Sequence, residues 1–95
     1  MIVERVELQI KDGMAEAFAA AMHERGLALL SPAEGCHWVK LGRGVENPNT
    51  FILLLEWDTV DQHMSFLKHP DHAAFRALSM PFSEGGAMEH FDMIG

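Results

Sequence analysis

The most hydrophobic stretch of the chain runs from Thr50 to Trp57, and both of its alternating faces are mostly apolar. Successive residues of a strand point to opposite sides of the sheet. One side therefore carries Phe51, Leu53, Leu55 and Trp57, and the other carries Ile52, Leu54 and Glu56. A short run of this composition predicts a strand that must be covered on both faces.

The first third of the chain predicts a strand followed by a helix. Apolar residues alternate with mostly polar ones over Ile2–Ile10, which indicates a strand with one buried face. From Met14 the apolar positions follow helical spacing, and Asp12 is placed to cap this helix or to interact with its positive end. We expect the helix to end within Arg25–Leu30, because a helix does not continue through Ser31-Pro32.

The middle of the chain predicts a hairpin and a second helix. Residues 36–41 indicate a strand, and the turn composition of residues 46–49 joins it to the strand at 50–57. Asp58-Thr59 ends the apolar run, and the spacing then becomes helical. The residues with that spacing are Val60, Met64 and Leu67.

The last third predicts a further helix and a final strand. Pro70 fits the first position of a helix that runs to about Leu78. His69 is placed to cap this helix or to lie in solvent, and Gly85-Gly86 closes the helical region. Residues 87–94 then give the last strand.

The predicted order, strand-helix-strand-strand-helix-strand, is that of a ferredoxin-like sandwich. We therefore expect one α+β domain over residues 1–95, with helices on one face of a four-stranded antiparallel sheet. The other sheet face would leave Ile52 and Leu54 in water, at a cost of about 1.5–3 kcal/mol for each side chain. We predict a homodimer in which two such sheets pack face to face.

Charge and cysteine content narrow the function classes. The chain has 14 acidic and 7 basic residues and a formal charge of −7, so we expect neither nucleic acid nor an anionic membrane as a partner. Cys36 is the single cysteine and is expected to be a small buried side chain. The first residues do not resemble a secretory signal, and we expect a cytoplasmic protein.

Four short segments resemble the antibiotic biosynthesis monooxygenase family, part of the dimeric α/β-barrel superfamily. They are residues 34–36, 47–51, 56–58 and 69–72, and the resemblance extends over residues 2–94. It implies a ferredoxin-like protomer, a dimer that closes a barrel, and a small pocket between sheet and helices. Members of the family include cofactor-free monooxygenases of anthrone-like substrates, haem-degrading enzymes and isomerases of small metabolites.

The resemblance also implies positions for a site. The anthrone-type members carry an Asn on the third strand and a Trp at its end, where this chain has Leu53 and Trp57. They carry a Tyr on the next helix and an Arg after it, and His63 and Arg76 lie near those positions. The chain has no tyrosine, so His63 would replace the phenol in proton transfer.

Two further positions come from the other family members. Phe66 and Arg76 stand where haem-degrading members carry Trp and His, so the resemblance implies no haem cofactor. His72 fits the second of two histidines that flank the helix break in many members. A metal site at His69 and His72 is disfavoured, because the restart at Pro70 separates their faces.

We therefore predict a cofactor-independent, monooxygenase-like enzyme that acts on a small apolar or aromatic molecule. His63 or His72 would be the base and Arg76 the cation, while Trp57, Leu53 and Phe66 would contact the substrate. The alternatives are an isomerase of a small metabolite, a dimeric binding protein without catalysis and, third, a small haem binder. In a binding protein Trp57 would serve only the core or the dimer interface, as buried indoles most often do.

Two polar features outside that site have simpler interpretations. Arg5 and Glu7 lie on the polar face of the first strand, where they could line a cavity or form an ion pair at the dimer interface, and we expect the ion pair. His23 and His90 stand alone in the sequence and carry no functional signal.

Overall fold

Four strands and four helices make up the fold, which a computed structural model describes over residues 1–95. The strands are β1 (Ile2–Ile10), β2 (Cys36–Arg43), β3 (Thr50–Trp57) and β4 (Ser83–Asp92). The helices are α1 (Ala15–Ala21), α2 (Leu27–Leu30), α3 (Val60–Phe66) and α4 (Pro70–Ser79). A π-helical turn, Met22–Gly26, joins α1 to α2, and a 3₁₀ turn, Met80–Phe82, leads into β4. The predicted α+β ferredoxin-like fold is confirmed.

The sheet is antiparallel throughout, in the order β2-β3-β1-β4. Its helix-covered face holds the side chains of β3 that are at most 3 % exposed: Phe51, Leu53, Leu55 and Trp57. The register places Val6 and Leu41 beside Leu53 on the same face. The other face of β3 holds Ile52, Leu54 and Glu56, which are half-buried. We refer to this second side of the sheet as the open face.

Two hydrophobic clusters fill the space between the sheet and the helices. The first is Ile10, Ala15, Phe18, Met22 and Phe51, and the second is Leu30, Leu53, Leu55, Trp57 and Phe66. The first is closed by an edge-to-face contact between two phenyl rings whose centroids lie 4.9 Å apart. The second cluster borders a cavity, and its two aromatic side chains, Trp57 and Phe66, form part of the cavity wall.

The N-terminal helical region ends where the sequence predicts, but it begins differently. The α2 helix stops at Leu30, directly before Ser31-Pro32. The expected cap by Asp12 is wrong: Met14 holds the capping position without a side-chain bond, and Asp12 Oδ1 accepts a hydrogen bond of 3.3 Å from Asn49 Nδ2. Asp12 therefore joins two loops instead of starting the helix.

The starts of α3 and α4 are fixed by side chains. Thr59 Oγ1 accepts a hydrogen bond of 3.2 Å from the Gln62 amide, which satisfies one of the free donors at the start of α3. His69 Nδ1 accepts one of 3.0 Å from the Asp71 amide, and Pro70 occupies the first helical position. The predicted restart at Pro70 and the capping role of His69 are confirmed.

Two predictions from periodicity are wrong. The last strand covers Ser83–Asp92, not residues 87–94. It includes Gly86, where a side chain would meet the Glu7 carbonyl oxygen. On α3, Met64 and Leu67 are 37 % and 41 % exposed. The buried side of that helix is formed by His63 and Phe66, since the sheet offers a polar partner beneath it.

None of the helices is both long and apolar enough to span a membrane.

Candidate functional site

A cavity of about 480 Å³ lies between the sheet and the helices α3 and α4. Its size is within the range of roughly 300–1,000 Å³ that is usual for small-molecule sites. Most of its lining is apolar and is supplied by β1, β3, α4 and β4: Val6, Leu8, Leu53, Leu55, Phe75, Ala87 and Met88 are among these residues. The titratable groups discussed below are Glu4, His63, His72 and Arg76, and the polar part of the lining also includes Glu7, Ser79 and Ser83.

Glu4 is a carboxyl group in the helix-covered layer. It pairs with Leu55 in the β1–β3 register, so its side chain shares the face of the apolar residues of β1 and is only 6 % exposed. Trp57 Nε1 donates a hydrogen bond of 3.0 Å to Glu4 Oε1. Burial raises the pKa of the Glu4 carboxyl, and the bond from Trp57 opposes that rise.

His63 lies between Glu4 and a second histidine. Its ring stacks on Trp57 with centroids 5.2 Å apart, and the residue is 3 % exposed. Nε2 lies 3.3 Å from Glu4 Oε1, and Nδ1 lies 2.7 Å from His90 Nε2. Burial, followed by the nearby charges of His90 and His72, lowers the pKa of His63 to about 4. His63 is therefore neutral at pH 7, with both ring nitrogens facing partners.

His72 and Arg76 lie four residues apart on α4 and share one face of that helix. The His72 side chain makes no hydrogen bond, and its ring meets the Phe66 ring edge-on with centroids 5.7 Å apart. Burial, followed by the Arg76 charge, lowers the pKa of His72. Arg76 forms no ion pair and bonds only Met80 Sδ at 3.6 Å. The cavity thus holds a neutral imidazole that makes no hydrogen bond and a guanidinium that has no carboxylate partner.

All six side chains predicted as site residues line this one cavity: Leu53, Trp57, His63, Phe66, His72 and Arg76. They divide by burial. Leu53, Trp57 and Phe66 are core residues that form its walls, and His72 is half-buried. Arg76 is exposed and reaches the cavity from its rim.

Sequence reasoning missed Glu4 and His90. Glu4 carried a detectable signal, because it is an acid at a position where the alternation of Ile2, Val6 and Leu8 predicts a buried side chain. His90 carried none, since only the β1–β4 register places it opposite Glu4.

Of the remaining polar candidates, Glu7 also contributes to the cavity lining, whereas Arg5 and Cys36 do not. Arg5 and Glu7 form an ion pair of 3.0 Å on the open face, as predicted for the pairing itself. Cys36 Sγ lies 3.6 Å from the Trp38 carbonyl, and burial raises the pKa of its thiol, which suits a structural side chain. No group of three or more His, Cys, Asp or Glu residues has an arrangement that could hold a metal ion.

The chain resembles known proteins in both sequence and structure. The family model for antibiotic biosynthesis monooxygenase matches residues 1–78. The Bacillus subtilis protein YczJ is 26 % identical over 96 residues, which cover 99 % of this chain and 100 % of YczJ.

Solved structures share the whole fold. A candidate antibiotic biosynthesis monooxygenase from Bordetella bronchiseptica superposes with a TM-score of 0.91 at 28 % identity, over 98 % of this chain and 96 % of that one. SnoaB, a cofactor-independent oxygenase from Streptomyces nogalater, gives a TM-score of 0.82 at 15 % identity, over 97 % of this chain and 91 % of its own. At that identity the likeness to SnoaB shows the fold alone.

Proposed function

The chain belongs to the antibiotic biosynthesis monooxygenase family, and from that premise we propose that it is a cofactor-independent oxygenase of a small, largely apolar, aromatic molecule. One observation carries the proposal: a neutral imidazole and an unpaired guanidinium, His72 and Arg76, line the same apolar cavity. Such a pair suits a substrate that has an acidic C–H or O–H group on a flat apolar frame.

His72 is the favoured base, because its side chain has no hydrogen-bond partner within the chain and its lowered pKa keeps it neutral at pH 7. It would take a proton from a CH₂ group of the substrate, and the electron pair of the broken C–H bond would stay in the aromatic system. The resulting anion reduces O₂, so that CH₂ and O₂ become C=O and H₂O. His63, the other candidate base, is less well placed for direct contact because its ring nitrogens face Glu4 and His90.

Arg76 would stabilise the substrate anion. A guanidinium without a carboxylate partner at the rim of a mostly apolar cavity retains its charge for a ligand. Trp57, Leu53 and Phe66 would hold the flat face of the substrate and keep water away from the anion.

The active unit in this proposal is a homodimer. The open face carries half-buried Trp38, Ile52 and Leu54 and, on β4, Phe91 at 41 % exposure. An apolar stripe across a sheet is best covered by an identical stripe, because a twofold axis makes the contact self-complementary. Packing of two open faces would also bury the Arg5–Glu7 pair at the interface.

An isomerase is the second candidate. It is favoured by the presence of two separate acid–base groups, Glu4 and His72, on the same cavity. One could remove a proton while the other returns a proton to a different atom, with no need for O₂. A binding protein without catalysis would use the same apolar walls but would need neither group.

Adding a hydroxyanthrone to the purified protein in an oxygen electrode in D₂O separates these candidates. We expect consumption of one O₂ per substrate, at a rate proportional to protein concentration. Deuterium exchange at the substrate CH₂ without O₂ uptake would favour the isomerase. Binding that shifts the hydroxyanthrone absorption without either change would contradict catalysis on this substrate class.

A further inference from the structure

Three titratable side chains from different elements lie in a row that leads away from the cavity. Glu4 of β1 and His63 of α3 both line the cavity and are buried, and His90 of β4 lies outside it and is half exposed. The distances are 3.3 Å from Glu4 Oε1 to His63 Nε2 and 2.7 Å from His63 Nδ1 to His90 Nε2. The row therefore runs from the ligand space to the edge strand of the sheet.

We propose that Glu4, His63 and His90 form a proton relay that exchanges the carboxyl proton of Glu4 with solvent. Its use on a bound substrate rests on the proposed function, whereas the relay itself does not. It would make Glu4 a second acid–base group of the cavity, supplied with protons from the side that a bound ligand does not block.

The two ends of the row fit that role. Trp57 and His63 both approach Oε1 of Glu4, so Oε2 has no hydrogen-bond partner in the chain and remains for a ligand. At the other end, Nδ1 of His90 makes no hydrogen bond within the chain and is available to water.

Proton uptake through the row balances atom by atom. It starts from a Glu4 carboxylate, with one proton on Nε2 of each histidine. A solvent proton binds His90 Nδ1 as the His90 Nε2 proton passes to His63 Nδ1. The His63 Nε2 proton passes to Glu4 Oε1. The net result is one proton taken from solvent and one neutral carboxyl group, and release is the reverse.

His63 is suited to the middle position because it contacts its two partners through opposite nitrogens. It can then accept on one nitrogen while it donates from the other, without an imidazolium at any stage. The titratable groups that face it are Glu4 on β1, His72 on α4 and His90 on β4. Cys36 on β2 lies near Glu4, and Arg76 on α4 lies near His72. None of these places a carboxylate other than Glu4 against His63, so an imidazolium there has one counter-ion at most.

The relay predicts a tautomer change that purely structural side chains would not show. When Glu4 is a carboxylate, the His63 proton lies on Nε2, and when Glu4 is protonated it lies on Nδ1. Nitrogen-15 spectra of the histidine rings, with carbon-13 spectra of the Glu4 carboxyl, follow both changes in the ligand-free protein. We expect the His63 nitrogens to exchange their shifts over the pH range in which Glu4 titrates.

A matched variant blocks the passage while it keeps a donor in place. In His90→Gln the side-chain amide can still donate to His63 Nδ1 but cannot pass a proton on, so we expect His63 to stay in the Nε2–H form at every pH above the pKa of about 4 at which its ring takes up a second proton. His23→Gln, at an exposed site on the π-helical turn, should leave the tautomer change intact. The relay is overturned if wild-type His63 keeps one tautomer while Glu4 titrates, or if His90→Gln retains the change. Since no substrate is added, either result is independent of whether the chain is an oxygenase.

Discussion

The indole Nε1–H of Trp57 donates a hydrogen bond of 3.0 Å to Oε1 of Glu4, between side chains 53 residues apart in the chain. The two residues lie on neighbouring strands, β3 and β1, and point into the same layer. The bond joins the hydrophobic wall of the cavity to its buried carboxyl group, so Trp57 serves both the core and the site.

This bond predicts coupling between the two side chains. Trp57→Phe leaves the buried carboxyl without its donor, and Glu4→Leu leaves the indole N–H unpaired. In a double-mutant cycle of urea unfolding we expect a coupling free energy of about 1–3 kcal/mol. Additivity of the two losses within about 0.5 kcal/mol would show that the bond contributes nothing.

The lowered pKa of His63 predicts a loss of stability in acid. With a folded pKa of about 4 and an ordinary value of 6.5, the unfolded state binds more protons between these pH values. The free energy of unfolding should therefore fall by about 3 kcal/mol as the pH drops through that window. His63→Gln should flatten the profile measured by urea unfolding at several pH values, and His23→Gln should keep the wild-type shape.

Glu4 acts in the opposite direction. Its raised pKa means that the folded state holds the carboxyl proton more tightly than the unfolded state does, so its contribution favours folding in acid and is lost as the pH rises through the raised value. We expect Glu4→Gln to steepen the acid loss seen in the wild-type chain. A profile unchanged by this substitution would contradict the burial of an ionisable group at this position.

The unpaired guanidinium of Arg76 predicts selectivity for anions. Arg76→Gln should weaken the binding of a hydroxyanthrone in its ionised form by roughly 10- to 100-fold, the equivalent of about 1.5–3 kcal/mol for a bond to a charged group. Binding of the O-methylated compound, which cannot ionise at that oxygen, should change less. Titration calorimetry measures both, with Arg25→Gln as the control on an exposed part of the π-helical turn. An equal loss for both ligands would assign Arg76 to packing.

The open face predicts a dimer that a single charge disrupts. Light scattering at micromolar concentration should give twice the protomer mass of 10.6 kDa. Leu54→Glu places a carboxylate in the middle of the proposed interface and should give the single protomer. Met64→Glu, on the exposed side of α3, should remain dimeric. A wild-type chain that scatters as one protomer would contradict the dimer.

The fold could be predicted from sequence because its strongest signals are local. The two-sided hydrophobicity of residues 50–57 and the turn residues around Pro70 each determine an element without reference to distant residues. The extent of β4 was not predictable in this way. Gly85 and Gly86 resemble turn residues in the sequence, and only the pairing with β1 shows that they lie in the strand.

The site was predictable in part, for a different reason. His63, His72 and Arg76 were found from resemblance to a family, while Glu4 and His90 needed the β1–β4 register that places them opposite each other. The apolar spacing of Met64 and Leu67 predicts that their side of α3 is buried, whereas the buried side is the one that carries His63. A histidine that faces the core is favourable there because its two ring nitrogens meet Glu4 of β1 and His90 of β4. The apolar periodicity of the helix does not contain that information.

In the proposed reaction His72 removes a proton from a substrate held beside Arg76, and this step is tested by O₂ uptake with a His72→Gln variant. With a hydroxyanthrone as substrate, we predict a fall in kcat of about 10²- to 10⁴-fold, the usual contribution of a general base. Binding of the same compound should stay within a few-fold of wild type, and His23→Gln should keep full activity. A His72→Gln variant that consumes O₂ at the wild-type rate would contradict the account.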